Sequence, residues 1–419
     1  MLRALSLFSG CGGCSLGLQQ ASFTVQLAVD NNAAACASYA ANFGGVRVWQ
    51  TDLATLAPTA LQQHAALGAG QLDLVVGGPP CQGFSSAGAR DWHDPRNSLL
   101  RTFVDLLITL QPTWFVMENV EGLLTANDGF YVTEAILRLL EAGYWVKAKK
   151  VYMEQYGLPQ RRKRLFIVGN RAGCAFVFPP PTHSPAQQLS LFGQAPQRSV
   201  LDAISDLPQP TADGQVQYTQ AAHNPYQQGL RQAEGSEVQL HQSKPATALL
   251  QQRMEQLAQG ATMQNLPPDL QHPSFQRRAL RRVMDGTPSA QRGGAPSGLK
   301  RLRAAEPALT ITASAPSEFV HPTANRFLTL RECARLQSFP DGFAFHGSFS
   351  AIATQIGNAV PPLFMRLLAT QIAEYADQPA LAQGPGRWLG IEATRSSGIS
   401  PALGKMLATL EAKTYAFTR

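Results

Sequence analysis

The sequence predicts an α/β fold: a mostly parallel sheet with helices on both faces, joined to a smaller irregular region. Two observations carry this expectation. Over residues 1–170, short apolar runs alternate with helical patterns. From Phe178-Pro-Pro-Pro-Thr-His onward the chain turns rich in Gln, Pro, Gly and Arg, and periodicity weakens. Strand, helix, strand repeated in this way builds parallel pairs joined by helical crossovers. Ligands of such sheets bind beyond the carboxyl ends of the strands.

The expected strands are 3–7, 25–30, 72–76, 114–117, 144–151 and 165–168, and the expected helices are 33–42, 98–110 and 131–141. The strands are runs of about four to eight largely apolar residues, and the helices carry longer periodic patterns. Past the irregular region, Phe327-Leu-Thr-Leu-Arg-Glu-Cys-Ala-Arg-Leu-Gln restores order, with a Thr N-cap and helical spacing of its apolar residues. Residues 355–362, QIGNAVPP, lead into another helix. The tail after about Asp377 suggests no role.

Bulk properties exclude some classes. With 419 residues and 44% hydrophobic content, the chain can bury a sizeable core, and its apolar runs are too short to span a bilayer. Met1-Leu-Arg-Ala-Leu-Ser-Leu-Phe runs directly into a glycine turn, which favours a cytosolic start over a signal peptide. The six cysteines (Cys11, Cys14, Cys36, Cys81, Cys174 and Cys333) are few and irregularly spaced, so reduced thiols are expected. Cys11-x-x-Cys14 has no second pair to complete a metal site and reads as small residues in a tight turn. Formal net charge is +7. Between Arg277 and Arg303 eight basic residues (Arg277, Arg278, Arg281, Arg282, Arg292, Lys300, Arg301 and Arg303) face one acid, Asp285, a local excess of seven. A positive field confined to one segment suits a nucleic-acid surface.

The chemistry centres on residues 77–88, GGPPCQGFSSAG. Two prolines restrict the backbone and present Cys81 stiffly beyond a strand end. Exposure of that kind suits a nucleophile better than a packing residue. A cysteine hydrolase would need a histidine partner, and the nearest, His93, sits in no hydrolase pattern. Glu118, in Phe-Val-Met-Glu-Asn-Val, ends another parallel strand and would reach the same rim, where a carboxyl group can hold and donate a proton. Thiolate plus proton-donating acid is the pair needed to add across a conjugated ring. In Gln160-Arg-Arg-Lys-Arg164, alternation would set Arg162 and Arg164 on one face and Arg161 and Lys163 on the other. The glycine turn FSGCGG at 8–13 is neither a dinucleotide fingerprint nor a P-loop, and suits a ligand with an amino-acid end and a purine end. Asp30, at a strand end, is placed for ribose hydroxyls, and Asp52 could accept from an adenine amine.

Taken in order, FSGCGG, Asp30, Thr51-Asp52, GGPPCQGFS, Glu118-Asn119-Val120, Gln160 through Arg164, Arg326 through Pro340 and QIGNAVPP resemble the DNA (cytosine-5)-methyltransferase family of prokaryotic type. Ser9 and Cys11 are small departures from the first pattern. The resemblance implies the Rossmann-like fold of S-adenosylmethionine-dependent methyltransferases. It implies that cofactor at Phe8, Ser9, Gly10, Gly13, Asp30, Asp52, Leu53, Pro79 and the backbone of Asn358, Ala359 and Val360. It implies that a cytosine is flipped from duplex DNA, that Cys81 attacks C6, that Glu118 acts at N3, that Arg164 contacts O2 and that Arg162 supports the Cys81 loop and the phosphate. Residues 82–98 would close over DNA. Ser85, Gln160, Arg277, Arg278, Arg281, Arg282, Arg292 and Arg301 are expected at DNA, and no metal is expected. The expected domains are 1–177, catalytic and cofactor-binding; 178–325, target recognition; 326–376, hinge and return to the catalytic domain; and 377–419, an extension of no assigned role. The expected setting is a cytoplasmic monomer acting on double-stranded DNA, with a cognate restriction endonuclease as a further partner, or as a solitary methylase. Two alternatives keep the fold: methylation of a cytosine in tRNA, and a catalytically silent DNA-binding regulator.

Overall fold

The computed structural model describes residues 1–80, 98–185, 193–231, 237–273, 275–276, 298–376, 386–392 and 400–417. The chain divides into two compact units: Met1–Tyr152, Lys163–Pro180 and Pro362–Arg419 form the first, and Met153–Arg162 with Pro181–Pro361 the second.

The first unit is built on one eight-stranded sheet. Its strands are β1 (Leu2–Leu7), β2 (Phe23–Asp30), β3 (Arg47–Gln50), β4 (Leu74–Gly77), β5 (Trp114–Asn119), β6 (Trp145–Tyr152), β7 (Lys163–Asn170) and β8 (Arg387–Glu392). They lie in the order β8-β6-β7-β5-β4-β1-β2-β3. All neighbours run parallel except β7, which is antiparallel to both β5 and β6. Crossover helices are α1 (Gly13–Gln20), α2 (Ala33–Asn42), α3 (Pro58–Ala65), α4 (Ser98–Leu110) and α5 (Phe130–Glu141). The periodicity that predicts α5 is the one it buries: Val132, Ala135, Ile136, Leu139 and Leu140 face the core. In α4, Leu100, Phe103, Val104, Leu107 and Leu110 do the same. No helix among the described residues is long and apolar enough to cross a membrane.

The expected strands and helices all form. Helix α1 opens at the glycine turn that follows β1. Two further elements, β3 and α3, have weak sequence signals: β3 is a partly exposed edge strand, and α3 is short with two buried residues. The tail contributes two elements among the described residues: β8, which pairs parallel with β6, and the helix Pro401–Phe417.

The units do not follow simple consecutive segments. Residues 153–162 fold with the second unit, because Gln160 donates to Leu336 O at 2.8 Å and Ile311 N donates to its side chain at 2.9 Å. Residues 326–361 also belong there, and the chain returns to the first unit at Pro362. The second unit has short helices, two-residue strands and a modest apolar cluster around Met254, Leu257, Leu299, Val320 and Phe327. Ionic contacts supplement that cluster: fully buried Arg335 pairs with Asp206 and donates to Asp341 at 2.8 Å.

In the first unit the helix Pro362–Ala376 lies against α1 at Gly17, where an added methyl would stand 2.6 Å from Pro362 O and 2.7 Å from Met365 Cβ. Gly17→Ala is therefore expected to push the two helices apart and lower stability by about 1–3 kcal/mol. Urea unfolding checks this, and an unchanged midpoint would show that the contact is compliant.

Candidate active site

Strands β2, β1 and β4 are parallel neighbours, and the chain leaves β1 toward β2 and β3 on one side while β4 and β5 lie on the other. Strand order reverses at β1, the position where doubly wound sheets hold ligands. The segment after β1 is bent by three left-handed residues: Phe8 at φ 50°, Gly10 at 55° and Gly12 at 102°. For Phe8 that conformation costs of order 1 kcal/mol, and such strain gathers at functional sites. Gly12 is obligatory on a second ground, since an added Cβ would lie 2.3 Å from the Phe43 ring.

Asp30 organises this turn. Its Oδ2 accepts from Gly10 N at 2.8 Å and its Oδ1 from Asn32 N at 2.9 Å. Each oxygen keeps another lone pair, so the carboxylate can still accept from two hydroxyls. Ser9 N donates to Val29 O at 3.0 Å, while the buried Ser9 Oγ has no hydrogen-bond partner among the described residues. Helix α1 begins with no side-chain cap, leaving the positive end of its dipole toward the turn. Beyond β3, Asp52 is exposed and accepts from Ala54 N at 2.9 Å, and Leu53 is buried. A buried hydroxyl without a partner, an uncapped helix start and a carboxylate with spare acceptor capacity together fit a ligand carrying an amino-acid end and a ribose.

The cysteines in this turn are packing residues. Burial pushes the Cys11 thiol up to about 12, against the lowering effect of nearby backbone N–H groups, and burial raises the Cys14 thiol too. Both are free. Protonated, enclosed thiols are inert.

The second rim feature is the Glu118–Arg164 pair. Glu118 is the penultimate residue of β5, next to β4, whose Gly77 is in register with Met117. Glu118 also stands opposite Phe166 of antiparallel β7, so Arg164, two residues along, is its diagonal neighbour on the same face. Arg164 Nε lies 2.9 Å from Glu118 Oε1, with the side chains 17% and 14% exposed. Arg164 Nη1 donates to Lys163 O at 2.8 Å, which fixes the guanidinium. Asn119, to which the sequence assigns no role, donates from Nδ2 to Pro79 O at 3.0 Å and so ties down the segment leading to Cys81. Gly78 is equally unassigned in the sequence, yet its Cβ position stands 3.2 Å from Glu118 Oε2. Burial of Asn119 beside a proline carbonyl was not readable from spacing.

Cys81, Ser85, His93 and the arginines Arg277, Arg278, Arg281, Arg282 and Arg292 lie outside the described residues, as does the loop expected over 82–98 except its last residue.

The second unit holds the other expected site residues, and there the structure reassigns three. Gln160 is fully buried, donating to Leu336 O and to Gln337 Oε1 at 2.7 Å, so it braces the unit rather than meeting DNA. Arg301 donates to the carbonyls of Leu257, His321, Ala324 and Met254 and to Asn325 Oδ1, all within 2.9 Å. Five backbone and amide acceptors occupy a guanidinium that is 7% exposed, so Arg301 is a clamp and not a DNA contact. Arg162 is fully buried, donating to Ile311 O at 3.1 Å and to Gly357 O and Ala359 O at 3.0 Å. It thereby fixes the backbone of 357–359, within the stretch whose Asn358, Ala359 and Val360 the family resemblance assigns to cofactor; of these Asn358 is exposed and Val360 buried. The alternation expected along this run is present, with Arg161 and Lys163 exposed.

Comparison with known proteins identifies the family. A family model described as C-5 cytosine-specific DNA methylase matches residues 2–374. The Type II methyltransferase M.DdeI of Desulfomicrobium norvegicum is 34% identical over 89% of this chain and 89% of its own. The Type II methyltransferase M1.HphI of Haemophilus parahaemolyticus is 33% identical over 88% of this chain and 86% of its own. Among solved structures, an E. coli "DNA modification methyltransferase encoded within prophage" superposes with a TM-score of 0.71 at 24% identity, covering 90% of this chain and 100% of that one.

Two outcomes follow from the geometry. Arg301→Met leaves several buried carbonyls without donors, at roughly 1–3 kcal/mol for each unmet group; the melting temperature should fall while the salt dependence of DNA binding stays as it was, and a flatter salt slope would restore Arg301 to the interface. Gly78→Ala should displace the Glu118 carboxylate and lower turnover about tenfold with folding intact; steady-state kinetics beside circular dichroism would detect this, and native turnover would show that Glu118 tolerates the methyl.

Proposed function

The chain belongs to the C-5 cytosine-specific DNA methylase family, and from that premise we propose that Cys81, Glu118 and Arg164 form the centre at which a flipped cytosine of duplex DNA is methylated. The protein is a DNA cytosine-5 methyltransferase; the residues, cofactor and course of the reaction are our reading. The observation that carries it is the Glu118–Arg164 contact at 2.9 Å on the strand end beside the segment that delivers Cys81.

The reaction asks for three things from this chain. Cys81 as thiolate forms a bond to C6 of the ring, while Glu118 supplies a proton to N3 and Arg164 donates to O2, so that charge pushed into the ring is met by an acid and a cation. C5 gains carbanion-like character and takes a methyl group, which S-adenosylmethionine supplies from its sulfonium. The C5 proton then passes to solvent, Cys81 leaves C6 as thiolate and N3 returns its proton to Glu118, which restores the aromatic ring. Phe8, Ser9, Gly10, Gly13, Asp30, Asp52, Leu53 and Pro79 hold the cofactor in this reading: the glycine turn and the start of α1 take the amino-acid end, Asp30 the ribose and Asp52 the adenine.

The relatives, Type II methyltransferases, support a place in a restriction–modification system with a cognate endonuclease acting at the same site. We place the reaction in the cytoplasm and assign it to a single chain. The basic segment starting at Arg277 supports sequence recognition by the second unit, through contacts to phosphates and guanines.

Duplex DNA with 5-fluorocytosine at the target should trap the protein as an SDS-stable adduct when S-adenosylmethionine is present, because fluorine cannot leave as a proton does. Cys81→Ala should abolish the adduct, and its persistence would remove Cys81 as nucleophile. In parallel, methyl transfer to tRNA but not to duplex DNA would overturn the substrate.

A further inference from the structure

The family match stops at residue 374, yet the chain after it is built into the first unit. Strand β8 extends the sheet beyond β6, with Arg387 in register with Trp145 and Glu392 with Lys149. Trp388, Leu403, Met406 and Leu410 enter the main hydrophobic core, Met406 at 1% exposure and Leu410 at 0%. Gly386 lies so close to α5 that an added Cβ would stand 2.2 Å from Leu140 O.

What this tail touches connects to Glu118. Past β5 the chain runs Glu118-Asn119-Val120 into two short 3-10 turns, Glu121–Leu124 and Ala126–Gly129, and then α5. The helix Pro401–Phe417 packs on the second turn and on α5. Gly129 takes φ 79°, and a Cβ there would lie 3.4 Å from Ala402 O and 3.5 Å from Met406 Cβ. On the other side of the tail, Glu392 pairs with Lys149 at 2.9 Å and Lys147 at 3.6 Å on β6, while the next residue of β6, Lys150, pairs with Glu121 at 2.6 Å. The segment leaving Glu118 is therefore held from two directions. The tail helix presses its far end, and a β6 edge tied to the tail strand grips its near end. Leu123 and Leu124, between those points, are anchored in the same core as Met406.

We propose that the C-terminal extension is a brace for the catalytic acid: β8 and the helix Pro401–Phe417 position Glu118 by fixing the segment 119–129. This deepens the reading of Glu118 as the acid and rests on it. Packed elements transmit small displacements because a close-packed interior has no slack to absorb them, and a misplacement of about 1 Å can cost a hundredfold in rate.

The test is a double-mutant cycle between Met406→Ala and Glu118→Gln in the full-length protein, with Val25→Ala, buried at the amino-terminal half of β2, as a core control. Turnover is expressed per active site, counted by the 5-fluorocytosine adduct, so that loss of folded protein does not register. Met406→Ala should lower kcat about tenfold with the KM for S-adenosylmethionine unchanged. In the Glu118→Gln background the same change should have no further effect. Val25→Ala, with a comparable drop in melting temperature, should leave kcat per site as it was. Equal loss from Met406→Ala in both backgrounds, or equal loss from Val25→Ala, would reduce the extension to a general stabiliser and overturn the brace. Native kcat in Glu118→Gln alone would instead overturn the acid, and the brace with it.

Discussion

One antiparallel strand sets the charge pairing at the rim of the first unit's sheet. Were β7 parallel like its neighbours, Arg164 would fall at the opposite edge of the sheet from Glu118. Because β7 runs backwards, its first residues lie beside the last residues of β5, and the register that sets Glu118 against Phe166 delivers Arg164 to the carboxylate. Two charges largely shielded from water attract strongly, and either alone would be expensive to keep there. The pair thus makes the sheet's register and its chemistry interdependent: a slip of one residue would turn Arg164 to the other face and leave Glu118 uncompensated.

The first unit was legible because its signals are local. Apolar runs and 3.6-residue periodicity mark β1, α4 and α5 directly, and Asp30 and Glu118 stand at strand ends where ligands are met. Signals that depend on distant partners were not legible. Nothing near Gly78 announces a carboxylate 3.2 Å from its missing side chain, and nothing near Asn119 shows that it will hold Pro79. Strand β8 was invisible for the same reason: Arg-Trp-Leu-Gly-Ile-Glu is short and broken by glycine, and becomes a strand only because β6 offers an open edge.

Arginine was the residue most easily misread. In sequence a guanidinium near other cations suggests a phosphate, and Arg301 sits in such company. In the structure it spends its donors on the ends of backbone segments, as Arg162 does within the same unit. An irregular unit with few ladders and a modest apolar cluster leaves many carbonyls to satisfy, and Arg, with five donors in a planar fork, closes several at once. The basic count of a loop-rich region therefore overstates its nucleic-acid surface unless buried arginines are subtracted.

The position of β8 bears on how the chain assembles during synthesis. Its partner β6 is complete some 240 residues earlier, and Lys147 Nζ donates to the Leu389 carbonyl across a separation of 242 residues. The helix Pro362–Ala376, which packs on α1, also emerges late. A ribosome moving at roughly 5–20 residues per second would hold β6 as an open sheet edge, and α1 without its partner helix, for about ten seconds or more. Open edges pair with other chains, so the nascent protein passes through a long interval in which its catalytic sheet is exposed to misassembly, and that interval closes only when the last residues arrive.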